Sequence, residues 1–197
     1  NSGYVGDIMS KRAAAAREEG RFPKTDFKKE YNITDKALNA LVDAGIINDS
    51  EWHHTSKFGN KTTFYSWDDD AHIYTYIANK KDVDALSRQY SDAAKRIAEI
   101  DKSTDYAVDV TEDLKTIQDR MVKSANFFRG KNTRPIYEGT TDADVVELAR
   151  SLYDEKSRLI GERDNAKSRI EQMFAPEDDV MFAVRGQSFE ERQRKAV

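Results

Sequence analysis

The chain contains no cysteine, which excludes disulfides and thiolate metal sites and fits a reducing cytoplasm. No apolar run approaches the roughly 20 residues that span a bilayer, and the amino terminus has no apolar signal core. Neither membrane insertion nor secretion is therefore expected. An excess of cations is missing as well. The 32 Lys and Arg stand against 36 Asp and Glu, a net charge of -4, which argues against general coating of nucleic acid and leaves only local patches. The sequence has no Gly-x-Ser-x-Gly elbow, no phosphate-binding glycine loop and no dinucleotide fingerprint. Of three histidines, His53 and His54 are adjacent on a β-prone run, so their side chains should face opposite ways and grip no common ion. Joining one of them, or His72, to Asp68, Asp69 or Asp70 matches no metal-ligand spacing. No catalytic residue, metal or cofactor is expected. The alternative is a metal-dependent nuclease at the hairpin, which would work through His54.

A chain of 197 residues with 38% apolar and 35% charged residues can bury a core and is rich in exposed helix, as one domain or two small ones. Asp7 to Gly20 offers a capping residue, an alanine run at 13 to 16 and a terminating glycine, which predicts a short helix. Phe22-Pro23 breaks the chain, and Thr25 to Tyr31 forms a further helical turn or two, ending at Asn32-Ile33. Thr34 caps the next helix, Asp35 to Ala44. There Ala37, Leu38, Leu41 and Val42 make one apolar stripe, Gly45 suits a left-handed closing position, and Ile46-Ile47 starts an extended segment. Glu51 to Lys57 and Lys61 to Trp67 then read as a hairpin. With Gly59-Asn60 as its two loop residues, Phe58 pairs with Lys61, His54 with Tyr65 and Trp52 with Trp67, so both tryptophans share the buried face. Helix, helix, turn, helix, hairpin is the winged helix-turn-helix order over residues 25 to 67.

Past Asp68-Asp69-Asp70 the apolar period becomes that of packed helices. Residues 71 to 80, with Ile73, Tyr74, Tyr76 and Ile77, read as a short strand or as the first turns of the following helix. Three seams step by three and four: Val83, Leu86, Tyr90, Ala93, Ile97, Ile100; then Val110, Leu114, Ile117, Met121, Ser124, Phe128; then Val145, Ala149, Leu152, Lys156, Leu159, Arg163, Ala166, Ile170, Met173. The charged Lys156 and Arg163 are expected to be exposed, with pairing to Glu155 and Glu162 as the alternative. A short link around Ser103-Thr104-Asp105 favours antiparallel neighbours. The tail has alternating Val180, Phe182 and Val184, then a capping box at Ser188 to Glu191. It either pairs as a strand with residues 71 to 77 or docks on a partner. The fold class is thus mainly α (α+β): a winged-helix-like head over 1–70, an antiparallel three-helix coiled-coil-like bundle over 71–175 and a strand and short-helix tail over 176–197.

For nucleic-acid or partner contact, the helix from Asp35 presents Lys36 and Asn39 with Asp43, Lys28 and Lys29 lie on the helix before it, and Lys57 and Lys61 flank the wing tip. The charge is modest. Residues 1–65 hold ten Lys or Arg and nine Asp or Glu, and Asp35 and Asp43 repel phosphate from the helix that would enter a groove. The most positive local stretch is Arg129 to Pro135, behind Phe127-Phe128, with Arg129, Lys131 and Arg134. It is read as a solvated interhelical loop, with phosphate contact as the alternative. Trp52, His54, Tyr65 and Trp67 are expected to be structural, as an aromatic ladder in the hairpin.

Gly3-Tyr4, Met9-Ser10, Ala13, Ala16, Gly20 and Pro23, followed by Ser50-Glu51-Trp52-His53-His54-Thr55-Ser56-Lys57 and Phe64-Tyr65, resemble a pattern of small accessory proteins encoded by bacteriophages and prophages. The resemblance covers about the first third of the chain, and the Trp-His-His-Thr-Ser-Lys string is its specific part. It implies a setting, the cytoplasm of an infected bacterium, and carries over no residue roles. The expected function is a non-catalytic binder that docks on a host or phage protein–nucleic-acid complex, as an inhibitor of a host defence of the anti-CRISPR or anti-restriction kind. An acidic helical surface of Asp82, Asp84, Asp92, Glu99, Asp101 and Asp105 would fill a groove made for phosphate. The rival is a winged-helix transcriptional regulator that contacts DNA or RNA directly and dimerises through its helices. Open seams favour a homodimer.

Overall fold

The computed structural model describes residue 11, residues 14–52 and residues 62–176. These are mainly helical, with one small antiparallel sheet. Strand β1 (Phe22–Pro23) is followed by helices α1 (Lys24–Tyr31) and α2 (Asp35–Asp43), strands β2 (Ile47–Trp52) and β3 (Thr62–Trp67), and helices α3 (Asp70–Thr104), α4 (Leu114–Phe128) and α5 (Asp142–Phe174). The chain divides into two compact units, Asn1–Arg88 with Lys167–Val197 and Gln89–Ala166. The expected change of character near residue 70 coincides with the start of α3, whereas the units divide further along that helix.

In the first unit the sheet order is β1-β3-β2. The short edge strand ends at Pro23, which has no amide hydrogen to continue a ladder. Ahead of it, residues 14–18 are helical, and Gly20 takes a positive φ of 71°. The Arg21 amide then donates to the Ala16 carbonyl and the Gly20 amide to that of Arg17, which closes the helix with a Schellman motif. The remainder of the helix predicted from Asp7 lies outside the described residues. Thr34 caps α2 by accepting from the Ala37 amide at 3.2 Å. The same closing motif ends α2, with Ile46 donating to Leu41, Gly45 donating to Val42, and Gly45 at φ 73°.

The hairpin register differs from the one predicted. Ile47 pairs with Trp67, Asp49 with Tyr65 and Trp52 with Thr62, a shift of five residues from a Trp52–Trp67 pair. Tyr65 also faces Phe22 of β1, so the expected His54–Tyr65 pair does not form, and His54 itself lies outside the described residues. The physical reason is burial. Trp67 and Tyr65 pack on Phe27, 5.8 and 6.0 Å between ring centres, and Ile47 beside Trp67 is 2% exposed. A register that buries these side chains outweighs the turn preference of a Gly-Asn dipeptide. Phe27 is fully buried at the centre of this ring cluster, which continues through Tyr31 and Trp67 to Tyr76 on α3.

Residues 71 to 77 are helical, so they offer no ladder to a strand from the tail. Asn79 breaks the helical geometry of α3 locally (φ -114°, ψ 16°), and its side-chain amide donates to the Thr75 carbonyl at 2.9 Å. One residue on, the Lys80 ammonium donates to the Asn32 carbonyl that closes α1 (2.8 Å), to the Tyr76 hydroxyl (3.1 Å) and to Asp84 (3.2 Å). The predicted tail elements, Val180 to Val184 and Ser188 to Glu191, lie outside the described residues.

The second unit is built on an aliphatic core contributed by three helices: Ala93, Ile97 and Ile100 of α3, Ile117, Met121 and Ala125 of α4, and Val145, Ala149, Leu152 and Leu159 of α5. The α3 and α5 positions are those of the predicted seams. On α4 the buried residues are Ile117, Gln118, Met121 and Ala125, whereas Ser124 and Phe128 of the predicted seam are half-buried at the edge of this stripe, with Phe128 packed against the core. Val110 lies in the turn before α4, whose true start is the Asp113 cap. Lys156 is a second departure. Its side chain is only 12% exposed, and its ammonium donates to Asp101 and to the Val108 carbonyl, each at 2.6 Å. The lysine at the seam is therefore half-buried and paired, not freely solvated. Arg163 pairs with its neighbour Asp164 at 3.0 Å and not with Glu162.

Candidate binding surfaces

In the first unit, the buried stripe of α2 (Ala37, Leu38, Ala40, Leu41) turns Lys36, Asn39 and Asp43 outward. The cations before it are already engaged: Lys28 and Lys24 reach the Asp35 carboxylate at 3.0 and 3.3 Å. Their hydrogen bonds, Lys28 first and then Lys24, hold the Asp35 carboxyl below the usual carboxylate range. Exposed pairs of this kind contribute under about 1 kcal/mol, so a phosphate or a partner carboxylate can replace Asp35 at small cost. Lys29 is exposed beside a shallow hollow of about 390 Å³ lined by Arg17, Phe22, Asp26 and Glu30, where Arg17 is paired with Asp26. Lys57 and Lys61 of the wing tip, with His53, lie outside the described residues.

A further hollow of about 380 Å³ sits beside the sheet, among Tyr31, Trp67, Asn48, Ser50 and Asp70. The Tyr31 hydroxyl there is pushed up by burial and by the charges of Glu30 and Asp70. His72, third of the histidines, packs its ring edge-to-face with Phe174 at 5.6 Å. Among the described residues no group of three or more His, Cys, Asp or Glu is gathered as a metal site would require.

In the second unit the basic loop behind α4 is wired into its own surroundings. Arg129 donates to Asp142 and to Asn126, each at 2.8 Å. Arg134 grips Asp105 bidentately at 2.6 and 2.5 Å, and its guanidinium lies 5.2 Å from the centre of the Phe128 ring. Between them, the Gly130 and Asn132 amides donate to the Glu138 carboxylate at 2.9 and 3.1 Å, with both residues in the left-handed region at φ 76° and 55°. Lys131 alone of the loop's cations has no carboxylate partner among the described residues. Its ammonium sits 3.5 Å from the centre of the Phe127 ring.

Phe127 was absent from the sequence-derived set, although its position was readable: it falls beside the α4 seam, four residues after Lys123 and four before Lys131. It is 61% exposed and, with Phe128, Lys123, Ser124 and Arg120, lines an open hollow of about 600 Å³. The acidic row along α3 and the turn after it is largely neutralised. Asp84 pairs with Lys80, Glu99 with Arg96, Asp101 with Lys156 and Asp105 with Arg134. No helix among the described residues is long and apolar enough to cross a membrane. Compared with the profiles of known protein families, with curated proteins and with solved structures, the chain finds no match.

Proposed function

We propose that the first unit is a winged-helix head and that the chain is a non-catalytic, phage-type binding protein, which uses this head to dock on a nucleic-acid-handling machine in an infected bacterium. One observation supports the reading: helix, strand, two helices and two strands in chain order, with the strands arranged β1-β3-β2, is the order expected of a winged helix, in which α2 would be the presented helix. The near-balanced charge of that face, Lys24, Lys28 and Lys36 against Asp35 and Asp43, supports a protein groove beside nucleic acid over a bare duplex. With Asp84, Glu99, Asp101 and Asp105 of the acidic row held by the chain's own cations, docking rests on the head and not on an acidic phosphate mimic. In a phage setting the consequence of such docking is inhibition of a host defence such as a CRISPR or restriction nuclease. The helices of the second unit are read as an antiparallel bundle that supports self-association.

The test is affinity capture of the tagged full chain from infected or defence-bearing cells, followed by mass spectrometry and by extraction of bound nucleic acid. Recovery of one nuclease or polymerase, lost on Lys36→Glu with Asn39→Ala, supports docking. Recovery of DNA alone overturns it in favour of the transcriptional regulator.

A further inference from the structure

From the second unit, and independently of what the head docks on, we infer a single-stranded nucleic-acid site on α4, in which the Phe127 ring stacks a base and Lys123 and Lys131 hold the flanking phosphates. Helical spacing puts Lys123 one turn before Phe127 on the same face of α4, and Lys131 approaches from the loop beyond it. An exposed phenyl ring ordinarily loses free energy to water, yet this one stands at 61% exposure in an open hollow. Phe128, perpendicular to it at 4.9 Å between centres, is the side chain that turns inward against the unit's core.

Charge selects the ligand. Lys123 makes no ion pair or hydrogen bond with a described residue, and Lys131 has only the ring of Phe127. By contrast, Arg120 in the same hollow is committed to Glu112 and to the Ala107 carbonyl, and Arg129 and Arg134 to Asp142 and Asp105. The one carboxylate on the neighbouring exposed turn, Asp119, is occupied by Lys115 at 2.8 Å. The patch thus carries two positive charges without a carboxylate partner among the described residues, around one exposed aromatic ring. Ring and cation arranged so recognise a base and its phosphates in a sequence-tolerant way. A duplex hides the faces of its bases and offers the phenyl group nothing to stack on, so the geometry favours a single strand. The ammonium already at the ring is the counter-ion that a phosphate next to a stacked base would meet.

The experiment uses the full chain with a fluorescein-labelled oligothymidylate, a duplex of matched length and a polyglutamate peptide, read by fluorescence anisotropy across a salt series. The single strand is expected to bind in preference to both competitors. Phe127→Ala should weaken it about tenfold, while Phe127→Trp retains it. Lys123→Gln with Lys131→Gln should flatten the log affinity against log salt slope by about 1.4, at roughly 0.7 per phosphate contact. All three side chains are exposed, and circular dichroism checks that the helices are kept. Single-strand binding that is undetectable, equals that of the duplex, or is unchanged by Phe127→Ala overturns the site. Tighter binding of polyglutamate also overturns it and assigns the patch to an acidic protein partner.

Discussion

The two units solve the same problem, making a small core hold, with different materials. The first packs rings: Phe22, Phe27, Tyr31, Tyr65, Trp67 and Tyr76 touch one another around a three-stranded sheet. The second packs mainly aliphatic side chains from three helices, with the buried Tyr137 ring, and sets one half-buried ion pair, Lys156–Asp101, beside them. Aromatic burial is non-directional and leaves the head's outer face free for polar residues such as Lys36 and Asn39. A half-buried ion pair contributes little net stability but penalises any arrangement that separates it, and here it ties α5 to α3 and to the Val108 carbonyl. The first unit is thus held by its rings with polar residues on its surface, and the second adds an ion pair between two of its helices.

Removing the centre of the ring cluster should break this comparison most visibly. Phe27→Ala deletes a fully buried ring and is expected to cost about 4 kcal/mol. Both tryptophans belong to the first unit, so in urea the fluorescence-detected midpoint should fall further than the helix-detected one. Next comes the ion pair. Lys156→Ala strands the Asp101 carboxylate, whose side chain is 16% exposed, at an expected cost of about 2 kcal/mol. Lys156→Met combined with Asp101→Leu should recover most of it, and a double-mutant cycle in urea measures the coupling.

A smaller effect is expected at the α2 cap. Thr34→Ala loses the hydrogen bond to the Ala37 amide and should cost about 1 kcal/mol, read as a shift of the tryptophan-detected midpoint with an unchanged denaturant slope. Smallest is the acid response of the helical unit. Asp113 accepts from the Thr116 amide and hydroxyl at the start of α4, and Asp144 from the Thr141 amide at the start of α5. These amide hydrogen bonds hold both carboxyls below the ordinary value of 3.8. A depressed folded pKa gives stability that is complete above 3.8 and is lost as pH falls through the lower folded values. Wild type should therefore lose stability below about pH 4, and Asp113→Ala should lose less over the same range while being less stable at neutral pH.

Local chemistry was readable wherever a short stretch decides the outcome. Thr34, Asn32, Gly45 and Gly20 mark helix ends because caps and left-handed closures need those residue types at those positions, and the stripes on α2, α3 and α5 follow from helical period. The hairpin register was not readable from its own strands. It depends on Phe27 and Tyr31, distant in sequence, receiving Trp67, while the turn dipeptide points to another pairing. Residues 71 to 80 were ambiguous because apolar residues at 73, 74, 76 and 77 fit either period; Tyr76 packs on Trp67 and Tyr74 stays 76% exposed. In the candidate sites, residue type revealed cations but not their commitments. Arg129, Arg134 and Lys28 look like Lys131 in sequence, and only the carboxylates folded against them set them apart.

Hydrogen exchange on the full chain, alone and bound to the captured target, tests most directly whether the head is the docking element. Protection is expected to rise along the exposed face of α2 and along β2 and β3, with the amides of α5 unchanged. Protection confined to α4 and α5, with α2 exchanging as in the free protein, would contradict docking through the head.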